Sequence, residues 1–354
     1  MKKCYINGAG CVSAQKTLDV AFLEEVAINE ADNILPLAAP DYKEYIAPAA
    51  GRRMAKGVKN GIAASASAIK EAGTQNFDAI VTGTGMGCNV DSEKFLTALL
   101  DNQEQFLTPT SFIQSTHNTV GAQIALGLQC KAYNFTYVNG AVSFESALID
   151  AQMQLQEDDA HSILVGGIEE AAESTMKFMQ LSGAIKSKDN GPYSVLEPKT
   201  GGAVFSEGAA FFVIEDEKKP SAYAELKDVY TYNILSQDEI TAKVEAFLGR
   251  NNIALSDVDA IVLGYNGDVQ YDAYYNVLVQ GIFKDTPQVY YKHLSGEYYT
   301  ASAFGMWVAA NILKLQQINP VLMVNAVSRS QYKNILLYNQ YRGGDHSFIL
   351  LSAC

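Results

Sequence analysis

A repeat constrains this chain more than any single motif. Asp78-Ala79-Ile80-Val81-Thr82-Gly83 is echoed by Asp259-Ala260-Ile261-Val262-Leu263-Gly264, and in both copies a short apolar run ends at a glycine and opens into a loop. Ser115–Ala122 and Leu294–Ala301 each read as a loop opening an Ala-rich helix. Ile163–Gly167 matches Val321–Asn325 in place, and Gly201–Glu215 matches Gly343–Ser352, each a glycine turn followed by an apolar strand. The spacing predicts two copies of one βαβ-rich unit. The seam falls in Asp216–Ser221, a charged stretch with a proline and no apolar period. The halves are then 1–215 and 222–354, the second shortened.

The same pattern sets the fold class. Predicted strands are Lys3–Asn7, Ala79–Gly83, Ala132–Val138, Ser162–Gly166, Ala203–Phe205 with Ala209–Ile214, Ala260–Gly264, Val289–Tyr291, Val321–Asn325 and Ser347–Ser352. Predicted helices are Lys56–Ala72, Asn118–Leu126, Ser143–Gln156, Ile240–Leu248, Ala301–Leu315 and Ser330–Tyr338. Strands alternating with helices predict an α/β protein with largely buried sheets.

Composition excludes several functions. A formal net charge of -13 disfavours nucleic acid as a partner, because phosphate must be neutralised by Lys and Arg. It also disfavours an anionic membrane surface. No run of about 18 apolar residues predicts a membrane span, and Met1–Ile6 lacks the apolar core of a signal peptide. Cys4, Cys11, Cys88, Cys130 and Cys354 are scattered and never form C-x-x-C, so neither a disulfide framework nor a zinc site is expected. A reducing cytoplasm is the expected compartment.

Four segments resemble the β-ketoacyl synthases of the thiolase fold. Ile6–Ser13 is similar to the family's opening strand and glycine turn, and Gly51-Arg52-Arg53-Met54 to the basic segment before its long Ala-rich helix. Gly202–Ala210 resembles its hairpin, in which a glutamate, here Glu207, sits between two glycines. Asn339–Ser347 resembles its C-terminal glycine-rich loop. The resemblance implies a duplicated, layered αβαβα fold with two mixed, mostly parallel sheets around buried helices. It also implies acyl transfer from carrier protein without a cofactor or metal.

The family's chemistry uses a cysteine at a helix N-terminus and two histidines. The cysteine belongs in the strand-to-helix turn of Tyr133–Ala147, where this chain has Asn139, Gly140 and Ala141. Ser143 carries a hydroxyl but lies further along and has no evident base. The first histidine position aligns with Asn266 and the second with Glu297, five residues after the retained Lys292. Only His117, His161, His293 and His346 exist, and His293 stands four positions before Glu297. The gating phenylalanine aligns with Arg342. Lys292 and Glu207 are retained positions that shape the family's site. Arg52, Arg53, Lys56 and Lys59 form the notable basic cluster and a possible acyl-carrier-protein docking surface.

The resemblance without its reactive residues implies a chain-length-factor-like subunit. It would pair with an active ketosynthase, or with itself, in fatty acid, polyketide or aryl-polyene-type pigment synthesis. An alternative is an active acyltransferase, or a thioester hydrolase or decarboxylase, using Glu297 as base with His293 or Ser143 assisting. A third is a scaffold that keeps the old acyl pocket.

Overall fold

The computed structural model describes residues 2–354. Ten strands are hydrogen-bonded in the order β3-β2-β4-β5-β1-β6-β10-β9-β7-β8. They are β1 (Cys4–Val12), β2 (Ala79–Gly83), β3 (Tyr133–Tyr137), β4 (Ser162–Glu169), β5 (Gly208–Glu215), β6 (Ala224–Asn233), β7 (Ala260–Leu263), β8 (Gln288–Tyr290), β9 (Asn334–Tyr341) and β10 (Asp345–Ser352). Strands β1–β5 and β6–β10 take the same order within their five, with β1 and β6 meeting antiparallel at the centre.

Three apolar cores divide the molecule into layers. One lies between the two five-strand layers, around helices Ser143–Gln156 and Ser302–Leu315. A second lies outside the first layer under helix Lys56–Ala72. The third lies outside the second layer under helix Gln237–Arg250. The Ser302–Leu315 helix is buried from Ser302 to Leu313, as expected of a helix that is apolar all round. No helix among the described residues is long and apolar enough to cross a membrane.

The layered α/β arrangement is the predicted one, but its details differ. The layers are joined as a single sheet, and five of its nine neighbour pairs are antiparallel. The reason is that β5 and β10 each return beside their layer's parallel strands and pair antiparallel on both sides. Gly8 and Gly10 lie inside β1 rather than in a turn. A Cβ at either would sit 2.1 Å from a carbonyl oxygen of the 56–72 helix, so glycine lets strand and helix close together.

The predicted strand Val321–Asn325 is instead a 3-10 turn, Pro320–Leu322, with one bridge from Met323 to Val289. The predicted helix over Ser330–Tyr338 is β9, the true counterpart of β4. Its run Ile335-Leu336-Leu337 is buried on both faces, and an apolar run of that length carries no period. Strand β6 escapes prediction because Glu225, Lys227 and Asp228 interrupt it. The helices Asn89–Asp101, Pro109–Ser115, Glu173–Leu181 and Ala273–Val279 escape it as well.

Candidate functional site

Two structures converge at the ends of the parallel strands, where open α/β sheets bind ligands. The first is the turn after β3. Gly140 stands at its apex with φ +53, a left-handed conformation that favours glycine. A short 3-10 turn, Gly140–Val142, then runs into the helix beginning at Ser143. Ser143 is fully buried and braces this elbow. Its hydroxyl donates to the Gly140 carbonyl at 2.7 Å and accepts from the Asn139 N–H at 2.8 Å. Both roles of the hydroxyl are taken by the backbone of the preceding turn, so Ser143 is a brace and not a nucleophile. Asp345, the first residue of β10, turns its carboxyl toward the Ala141 N–H. Burial raises the Asp345 carboxyl above the usual carboxylate range, and the N–H works against that rise.

The second structure is a closed polar cluster built on the loops after β7 and β8. Lys292 Nζ lies 2.7 Å from Glu297 Oε2 and donates to Asn339 Oδ1, also at 2.7 Å. Asn266 Nδ2 donates to the same Glu297 oxygen at 2.7 Å. The other Glu297 oxygen accepts from the Tyr298 N–H at 3.1 Å. All four side chains are buried. The backbones of Asn266 and Glu297 are pinned by residues 204–206. The Val204 N–H donates to the Asn266 carbonyl and the Glu297 N–H to the Val204 carbonyl, while the Ser206 N–H donates to the Glu297 carbonyl. Asp272 accepts from the Asn266 and Gly267 N–H groups. Burial outweighs those bonds and pushes its carboxyl up to about 7.

The structure thus joins Asn266, Lys292 and Glu297, and leaves other candidates apart from them. Glu207 pairs with Lys56 and accepts from the Ala171 N–H, so it belongs to a different ion pair. His293 is buried and directs Nε2 at the Val321 carbonyl, 2.9 Å away. Burial lowers its pKa to about 4, so it is neutral, and it makes no contact that could assist Glu297. Arg342 occupies the turn between β9 and β10 at φ +50, unusual for a bulky residue, with its guanidinium 5.4 Å from the Tyr271 ring centre. Arg52 and Arg53 are exposed, and Lys59 lies 5.5 Å over the Tyr42 ring.

Sequence reasoning gave no role to Asn339, Asp272 or Asp345. Asn339 and Asp345 lie inside the glycine-rich segment already singled out, but no spacing rule pairs Asn339 with Lys292 or Asp345 with the elbow.

As a site for chemistry, the arrangement is poor in reactive groups. The elbow presents no thiol or hydroxyl free to attack. Glu297, the residue at the second histidine position, has both oxygens engaged by an ammonium, an amide and a backbone N–H.

A family model described as the β-ketoacyl synthase N-terminal domain matches residues 39–219. No curated protein matches the chain significantly by sequence. Solved structures do resemble it. The ishigamide ketosynthase/chain length factor gives a TM-score of 0.79 at 16% identity, covering 100% of this chain and 99% of that one. A β-ketoacyl synthase from Burkholderia phymatum gives 0.78 at 16%, covering 100% of both chains. A ketosynthase in complex with its chain length factor from Xenorhabdus doucetiae gives 0.76 at 15%, covering 100% and 98%. At such identities the likeness is one of fold.

Proposed function

The chain belongs to the β-ketoacyl synthase family, and from that premise we propose that it is a non-catalytic, chain-length-factor-like subunit. It pairs with an active ketosynthase in fatty acid or polyketide synthesis, with an aryl-polyene-type pigment as the finer assignment. The observation that carries the proposal is the elbow, whose apex is Gly140 at φ +53 and which carries no cysteine, and in this reading Gly140 stands where the nucleophile would. In this reading Asn266 and Glu297 stand at the two histidine positions, and Lys292 is ion-paired with Glu297. Nucleophilic and acid–base catalysis both need groups this site does not present.

The sheet's free edge supports a partner. Strand β3 ends the sheet with Tyr133 and Phe135 each 45% exposed, and its backbone edge is unpaired. Leu126, on the helix packed against β3, is exposed as well. An apolar, unpaired edge of this kind is a pairing surface. Two of the similar structures are themselves ketosynthases with chain length factors. The exposed Arg52 and Arg53 suit an acidic acyl carrier protein, with Lys59 beside them and Lys56 already tied to Glu207. Halves 1–215 and 222–354 complete the proposal as the two copies of the duplicated unit.

The test is to express the chain with an active ketosynthase, and separately to incubate it with acyl- and malonyl-carrier protein. A stable heterodimer, and an unmodified mass for this chain, are expected. A self-paired dimer that ignores the ketosynthase would overturn the pairing. Acyl transfer to this chain, or release of CO₂, would overturn the non-catalytic reading and favour the acyltransferase or decarboxylase.

A further inference from the structure

We infer that Asp345 is an internal anion that faces the apex of the elbow and closes it to acyl thioesters. The inference rests on the non-catalytic reading above and adds a second barrier to it. The elbow lacks a nucleophile, and a carboxylate already stands beside the apex where the negative charge of the reaction would develop.

An acyl-transfer elbow works by offering backbone N–H groups to the oxygen that becomes negative in the transition state. At this elbow the Ala141 N–H follows the apex, and the first residue of β10, Asp345, stands against the same turn. A Cβ built on Gly140 would meet one atom within 4 Å, Asp345 Oδ2 at 3.6 Å. A side chain at the apex would therefore project directly at that carboxylate. No Lys, Arg or His among the described residues forms an ion pair with Asp345. Arg342, the cation of the same turn, is occupied over Tyr271. The carboxylate is thus left to the elbow. The contact is also long-range, since the β9–β10 hairpin of the second layer reaches across to a turn of the first.

A plain helix-capping role is the competing explanation. Ser143 already takes up the Asn139 N–H and Gly140 carbonyl of this turn. A cap and an internal anion differ in one respect: only the anion controls the charge felt by a group placed at the apex.

That difference is measurable in the full-length chain. Gly140→Cys is made with and without Asp345→Asn, both in a Cys130→Ser, Cys354→Ser background that removes the two less buried native thiols. Alkylation at position 140 is followed by peptide mass spectrometry with neutral iodoacetamide and anionic iodoacetate. A neighbouring carboxylate disfavours the thiolate. The expected result is that Asp345→Asn speeds iodoacetamide labelling by about tenfold, the effect of about one pKa unit. It should speed iodoacetate labelling by more, because the anionic reagent is also repelled. Equal rates in the two variants, or equal acceleration of both reagents, would overturn the inference. Circular dichroism checks each fold. If Gly140→Cys does not fold in its left-handed position, Ala141→Cys carries the same comparison with the same outcomes. Equal rates would leave the non-catalytic reading standing, whereas acylation of the wild-type chain would remove that reading without bearing on the thiol rates.

Discussion

Strands β3 and β8 are equivalent by the duplication and opposite in treatment. Each ends its layer and pairs in parallel with the strand that carries the Asp-Ala-Ile-Val repeat. Along β3 the side chains are exposed or half-buried, and the stacked ring pair Tyr133–Phe135 faces outward. Along β8, Gln288 and Val289 are buried. The segment after the Pro320–Leu322 turn covers that edge. Met323 bridges Val289, the Val324 N–H donates to the Gln288 carbonyl, and the Asn325 amide oxygen accepts from the Gln288 N–H. One copy of the unit has spent its edge on its own chain, and the other has kept it free. A duplicated fold can therefore specialise its halves, one for closure and one for association, without changing strand order.

The closed half should be the easier to break. Lys292 follows β8 directly, and Lys292→Met strands the buried Glu297 carboxylate without its ammonium. A loss of about 3–5 kcal/mol in unfolding free energy is expected, measured by denaturant titration, with Glu297→Gln in the same background restoring part of it. A variant as stable as wild type would show that the cluster is not what holds this half shut.

The open half should respond in association rather than folding. Phe135→Lys is expected to change stability by within about 0.5 kcal/mol, as surface substitutions do. It should also abolish co-purification with the ketosynthase, because a charge on a pairing edge opposes strand addition. Unchanged pairing would move the interface off β3.

The smallest effect compares the halves by pH. Burial pushes Glu169, at the end of β4, up to about 8 from an ordinary 4.5, although Thr84, Gly85 and Met86 all donate to it. Asp272, in the other half, is pushed up to about 7. Between the unfolded value and these raised ones, the folded chain holds the extra proton. Stability therefore falls as pH rises from about 4.5 to about 8 for Glu169, and from about 4 to about 7 for Asp272. Thermal melts from pH 5 to pH 8 should show a falling midpoint. Glu169→Gln and Asp272→Asn should each flatten the slope across that range. Slopes identical to wild type would mean that both groups stay ionised.

Much of the frame was legible in the chain itself. The helices Lys56–Ala72 and Ser143–Gln156 match their predicted spans to the residue, because small and apolar positions recur there at helical spacing. Strand β2 is likewise read correctly from Asp78–Gly83, where a short β-branched run stops at glycine. The absence of cysteine from Asn139–Val142, and of histidine at positions 266 and 297, is a plain fact of sequence. These features are local, and local features are what propensity and periodicity can report.

Other features depended on which distant residues meet. Ile335-Leu336-Leu337 suits a helix or a strand equally, and burial between β7 and β10 made it a strand. Lys292 chose Glu297 and Asn339 over Glu207, and Glu207 took Lys56 instead. The Asp345 carboxyl meets the elbow across more than half the chain's length. The sequence by itself determined the duplicated α/β plan and the loss of the reactive side chains, since both are written in residue type and spacing. Tertiary structure alone decided which edge was left bare, which carboxylate was neutralised and which one closed the elbow. Those outcomes are pairings between separate segments, and a pairing energy exists only once folding has brought its partners within a few ångströms of each other.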